Sequence, residues 1–194
     1  MKTPLLLLAA FASVTALHAA DPVLKADFSS AALPEGWSSV KGEWKVTDGA
    51  LVGTELPTDK HAAVFSIPDP HANSTLRLRI RLDGAKGFHL SYNHAKGHLF
   101  RVSIANGEAI LRMDKDKKDP ASKGEVLAKK AVVLKPGEWA DLTCTVEGTK
   151  VLVTIGEVTL EGTHADLAKE KTGYRFVVAG ESIAFDDVAF VSGK

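Results

Sequence analysis

An intramolecular disulfide is closed to this chain, because Cys144 is the only cysteine among 194 residues. Stability must come from packing, even in an oxidising compartment. An excess of one charge is missing too: 24 Lys and Arg stand against 24 Asp and Glu. A polyanion held by counterion release is therefore not expected, and nucleic acid is excluded as a partner. Aromatic residues make up 7%, and Tyr92 and the three tryptophans fall at core or loop-entry positions, so no stacking platform for sugar rings stands out. After the first twenty residues no apolar run of about 18 residues occurs, which argues against a membrane-embedded protein.

The N-terminus has the order of a secretory signal: Lys2, an apolar run from Leu5 through Ala12, then small residues ending in Ala19 and Ala20 before Asp21. Cleavage is expected after Ala19 or Ala20, giving a secreted or periplasmic product. No cysteine borders the cleavage site to carry a lipid.

From Val23 onward apolar and polar residues alternate, interrupted by Gly, Asn or Asp. Leu76, Leu78, Ile80 and Leu82 alternate with Arg77, Arg79 and Arg81. Phe88, Leu90 and Tyr92 oppose His89, Ser91 and Asn93, and Phe100, Val102 and Ile104 oppose Arg101 and Ser103. Each run reads as a half-buried strand. Further strands are expected at 44–47, 50–53, 63–67, 109–113, 142–146, 151–155 and 175–178. Asp48-Gly49 and Asn106-Gly107 supply hairpin turns. One short helix is expected, capped by Thr163 with Asp166 three residues on and ended by Gly173. The charged, Pro-containing stretch from Asp114 to Gly124 reads as a solvated loop. Such a pattern predicts an all-β, two-sheet antiparallel jelly-roll sandwich with one short helix, in a single domain over 24–192. Cys144, sharing a face with Leu142 and Val146, reads as a buried, inert thiol.

In the last strand Ile183 and Phe185 share one parity and Val188 and Phe190 the other, with Asp186-Asp187 between them. One extra residue must be absorbed, which a β-bulge does while keeping both apolar pairs inside.

Gly36-Trp37, Gly42-Glu43-Trp44-Lys45-Val46, Asp48-Gly49-Ala50-Leu51, Gly137-Glu138-Trp139, Val146-Glu147-Gly148 and Ile183-Ala184-Phe185-Asp186-Asp187-Val188 are short stretches spread over the chain. In them the chain resembles the concanavalin-like lectin and glucanase superfamily, and within it a domain family of exported bacterial proteins, the 3-keto-disaccharide hydrolases. The resemblance implies a jelly roll whose concave outer sheet face binds sugar, and it implies hydrolysis of 3-keto-glycosides.

On those polar strand faces His89, Asn93, Arg101, Arg79 and Arg112 are the candidate ligand-binding residues, since guanidinium forks and amides pair with hydroxyl and carboxylate groups. The plainer reading is a solvated sheet face. His89, His94 and His98 are spaced poorly for a metal site. A Glu-x-Asp-x-x-Glu glucanase pattern and a Gly-x-Ser-x-Gly elbow are both absent from the sequence. The expected function is thus an exported module, a monomer, that engages carbohydrate. Hydrolysis of 3-keto-glycosides and a structural or adhesive role are the alternatives.

No cofactor is required by this reading, although a structural calcium is a candidate. In a sandwich of this type the first and last strands lie side by side, which would gather Asp27, Asp186 and Asp187 into a set of oxygen ligands. The alternative is that one Asp accepts backbone N–H bonds at the bulge while the others face water.

Overall fold

The computed structural model describes residues 24–193 apart from residue 117. The expected signal segment lies outside the described residues. Fifteen strands follow one another: β1 (Leu24–Ala26), β2 (Ser38–Lys41), β3 (Glu43–Thr47), β4 (Ala50–Thr54), β5 (Ala63–His71), β6 (Asn73–Leu82), β7 (Ala85–His94) and β8 (Gly97–Ala105) come first. Then come β9 (Glu108–Met113), β10 (Glu125–Ala131), β11 (Trp139–Glu147), β12 (Lys150–Ile155), β13 (Val158–Thr163), β14 (Lys171–Gly180) and β15 (Ile183–Gly193).

They form two antiparallel sheets packed face to face, the expected jelly-roll sandwich. The first sheet runs β13-β12-β11-β6-β15-β4-β3, with β1 also on β15, and the second runs β10-β9-β8-β7-β14-β5-β2. Strand alternation directs the inner residues of both into one core. Leu76, Leu78, Ile80, Phe185 and Phe190 come from the first sheet, and Phe88, Leu90, Phe100, Leu111 and Phe176 from the second. Phe176 stacks on Phe185 across the sandwich with ring centroids 4.6 Å apart. Cys144 is fully buried in this core, and burial pushes its thiol up to about 12, as befits an inert side chain.

Both hairpin turns form as expected. Asp48 and Gly49 adopt φ of 52° and 73°, and Asn106 and Gly107 adopt 53° and 75°. Successive positive φ values suit the tight turns that Asx-Gly pairs favour. The parity break in β15 is also real: Asp186 pairs with Arg79 and Ala189 with Arg77, so one extra residue is absorbed between them. Ile183, Phe185, Val188 and Phe190 are all fully buried as a result.

The expected helix is reduced to a single 3-10 turn, Ala165–Ala168. Its cap is His164, whose side chain accepts from the Asp166 amide, while Thr163 ends β13 and Gly173 lies within β14. Only Leu167 of this turn is buried, so one apolar anchor cannot offset the cost of nucleating a longer helix. Strands β2, β10 and β13 were not expected. β2 and β10 are sheet edges that bury no side chain, so their sequences carry no alternation, and β10 presents Lys129 and Lys130 along its edge.

One buried group is out of character. Lys171 is 1% exposed, and its Nζ donates to the carbonyls of Ala72 at 2.5 Å and of Leu167, with no carboxylate as partner among the described residues. Burial lowers its ammonium to about 8 from the usual 10.5. Because the folded-state value is depressed, the unfolded chain binds more protons between those limits. Stability should therefore rise with pH from about 8 to 10.5, at up to roughly 1.4 kcal/mol per unit. Urea unfolding of the wild type and of Lys171→Met across that range should show the rise in the former and lose this component in the latter; parallel curves would contradict the assignment.

Candidate functional site

Alternation places the sequence-predicted residues on outer faces, but not on one face. Arg79 stands on β6 in the first sheet, whereas His89 and Asn93 on β7, Arg101 on β8 and Arg112 on β9 stand on the second. The sandwich core separates them. The candidate set is therefore divided, and Arg79 cannot share a ligand with the others. Periodicity fixes the side of a strand a residue occupies, but not which sheet the strand joins.

Arg79 is engaged on its own face. Its guanidinium lies 4.8 Å from the Trp139 ring, as does that of Arg81. Arg79 Nη1 donates to Asp187 at 3.2 Å and lies 3.8 Å from Asp186, while Arg81 Nε pairs with Asp83 at 3.0 Å. These contacts bear on the expected cation site. β1 does lie beside β15, with Ala26 opposite Val188. Asp27, however, is exposed and accepts from the Ser29 hydroxyl at 2.8 Å and its amide at 3.1 Å, which hold its carboxyl below the usual range. Asp186 accepts from the Asp187 amide at 2.7 Å within the bulge. Asp27, Asp186 and Asp187 are not gathered into a ligand set: among the described residues no group of three His, Cys, Asp or Glu side chains is placed to hold a metal.

The second sheet's outer face is different. Cross-strand register aligns Arg175 on β14 with Ser91 on β7, Arg101 on β8 and Arg112 on β9 in a single row. With neighbouring strands about 4.8 Å apart, the row brings three guanidinium groups within about 15 Å. Ser91 lies on this outer face yet is 2% exposed, covered by the longer side chains beside it. His89 flanks the row on one side, its Nδ1 3.3 Å from the Ser103 hydroxyl. Burial and then the Arg101 charge hold the His89 imidazole below its usual range, so it is neutral at neutral pH. Asn93 flanks the other side, opposite His98.

Arg101 is fixed by a two-point grip on Asp114: Nε donates to Oδ1 at 3.0 Å and to Oδ2 at 2.8 Å, and Nη2 donates to Oδ1. The Asp114 side chain is 7% exposed. Arg112 Nε lies 3.9 Å from the same carboxylate, beyond hydrogen-bond length. Three polar atoms here are enclosed without a partner, namely Arg112 Nε, Arg175 Nε and Asn93 Oδ1. Beside the row opens a cleft of 320 Å³, lined by Lys96, His98, Arg101, Arg112, Asp114 and Lys115. Asp114, Lys115 and Gly124, from the two ends of the loop expected at 114–124, line this cleft. Its Gly124 comes so close that a Cβ there would stand 2.8 Å from Arg112 Nη2.

The sequence reasoning missed Arg175 and Asp114 as site residues. Arg175 could have been found, since it alternates with buried Tyr174 and Phe176 just as Arg101 does with its neighbours. Asp114 follows the last residue of β9 and is recruited by the chain's turn there, which no periodicity announces.

No family model and no curated protein sequence matches the chain. Solved structures share the fold at low identity. The carbohydrate binding module CBM66 from Bacillus subtilis matches with a TM-score of 0.65 and 13% identity, over 81% of this chain and 96% of its own. A putative glycosyl hydrolase from Parabacteroides distasonis matches with 0.57 and 14%, over 82% and 89%. LamAcat from Zobellia galactanivorans matches with 0.62 and 10%, over 90% and 98%.

Two measurements check the charge assignments. Asp114→Asn should cost about 2 kcal/mol in urea unfolding, because it strips a nearly buried carboxylate from Arg101. Thermal unfolding in calcium and in chelator should give the same midpoint; a midpoint that climbs with free Ca²⁺ would restore a metal to the β1–β15 seam. With these side chains placed, the chain is a two-sheet jelly roll, the fold it shares with those structures.

Proposed function

We propose that this protein is an exported jelly-roll module that engages carbohydrate through the outer face of its second sheet. The observation that carries the reading is the row Arg175, Ser91, Arg101 and Arg112 beside an open cleft, with His89 and Asn93 at its flanks. A sugar presents vicinal hydroxyls, and planar guanidinium and amide groups on a rigid sheet pair with these at fixed spacing. Sheet strands hold the donors in register before any ligand arrives, which limits the ordering cost of binding. Support also comes from the fold, which is shared with a structure described as a carbohydrate binding module. Export rests on the N-terminal pattern of Lys2, the Leu5–Ala12 run and Ala19-Ala20.

Hydrolysis of 3-keto-glycosides, which the sequence resemblance implies, has less behind it. Acid and base catalysis on a glycosidic bond calls for two carboxyl groups at set separation. The cleft offers one, Asp114, and Arg101 already grips both its oxygens.

Affinity electrophoresis in gels containing soluble polysaccharides tests the proposal. The wild type should be retarded by at least one, and Asn93→Ala should be retarded less. Arg101→Ala should lose about tenfold or more in affinity. A ligand soaked through the assay should be recovered intact. Retardation abolished by Arg79→Ala but untouched by Asn93→Ala would move the site to the first sheet and refute the assignment.

A further inference from the structure

The two outer faces differ in how far their arginines are paired, with exposed Arg77 of the first sheet left without an ion-pair partner among the described residues. On the first sheet Arg79 and Arg81 are each paired with aspartates, Asp186, Asp187 and Asp83. On the second sheet the only acidic residue lining the cleft, among the described residues, is Asp114, and Arg101 consumes it. Arg175 has no ion-pair partner among the described residues, and its Nε is enclosed without an acceptor. Arg112 reaches Asp114 only at 3.9 Å. Lys115 lines the same cleft with no ion-pair partner among the described residues, while Lys96 leans 3.5 Å toward Asp116. The chain as a whole is neutral, so this positive surplus is local.

Such a surplus is costly to keep. Three guanidinium groups in one row repel one another, and a solvated face that served solubility alone would intersperse carboxylates among them, as the first sheet does. The His89 imidazole responds to the same field, since the nearby Arg101 charge helps to keep it neutral. A neutral sugar would relieve none of this repulsion. A planar anion would, because each guanidinium presents a fork that matches a carboxylate at two points.

We infer that the ligand of this face is an acidic glycan carrying uronic-acid carboxylates, with the Arg175 and Arg112 guanidinium groups receiving them while Arg101, locked on Asp114, orders the row. This rests on the carbohydrate reading above and specifies its ligand class. Arg101 is a positioning residue here, and Arg175 and Arg112 are the recognition residues. Lys115, which also lines the cleft, adds long-range attraction without directional demand.

The test uses the full chain and four polymers: polygalacturonate, its fully methyl-esterified form, dextran sulfate and dextran. Polygalacturonate should bind about tenfold or more tightly than its methyl ester, which keeps the ring and removes the charge, and binding should weaken as salt rises from about 50 to about 500 mM. Arg175→Gln and Arg112→Gln should each weaken polygalacturonate binding about tenfold. Arg77→Gln, an exposed arginine on the opposite sheet, should leave it unchanged. Far-UV dichroism and melting midpoints establish that the variants fold, and the comparison of ester with acid decides the matter on the wild type alone. Equal affinity for acid and ester overturns the inference and leaves the carbohydrate reading standing. Preference for dextran sulfate over polygalacturonate overturns the carboxylate assignment, and retardation by none of the four overturns both.

Discussion

One strand has to satisfy three neighbours. β15 pairs with β6 along one edge, and on the other edge with β4 over Ile183 to Phe185 and with β1 over Val188 to Phe190. Its two apolar halves have opposite parity, so without an extra residue between them one half would face water. Burying a Val or a Phe is worth about 1.5–3 kcal/mol, so exposing Val188 and Phe190 would remove a large share of a small domain's net stability. The bulge at Asp186-Asp187 prevents that, with Asp187 at a φ of 48° and its amide donating to the Asp186 carboxylate. Once the bulge is set, Arg79 meets both carboxylates.

The second sheet differs in degree: on β6 of the first sheet Arg79 and Arg81 each meet aspartates, whereas in the row of the second sheet only Arg101 is closely paired. Arg101 and Asp114 make the tight pair of the row, and Asp114 is available to it because the chain leaves β9 immediately after Met113. Everything else cationic in the row is left underpaired. Rigid strands, a fixed central guanidinium and unpaired ones on either side make a preorganised donor array, so little conformational entropy is lost on binding.

The interior shows the same separation of roles. Its aromatic rings interlock across the sheets, with Phe176 on Phe185 and Trp37 edge-on to Phe65 and Phe190. No disulfide contributes, and the single thiol is spent on packing. Lys171 is the exception, a buried ammonium held by carbonyls alone, placed where β14 enters the sheet after the 3-10 turn.

The period-two alternation of Leu76 to Leu82, Phe88 to Tyr92 and Phe100 to Ile104 determined by itself that the fold is all-β and sandwiched, and which side of each strand is wet. Asp48-Gly49, Asn106-Gly107 and the parity break at Asp186-Asp187 likewise determined the turns and the bulge, because each is a local conformational demand that particular side chains meet. Edge strands such as β2 and β10 stayed invisible, since no buried face imposes a pattern on them. Tertiary structure alone decided which polar faces coincide. Arg79 and Arg101 have identical local signatures, and only the order in which strands join the two sheets sends them to opposite sides of the molecule. Arg175 entered the site because hydrogen-bond register across β14, β7 and β8 joins it to Ser91 and Arg101, more than seventy positions away, and Asp114 because the chain turns there after β9; no period in the sequence encodes either.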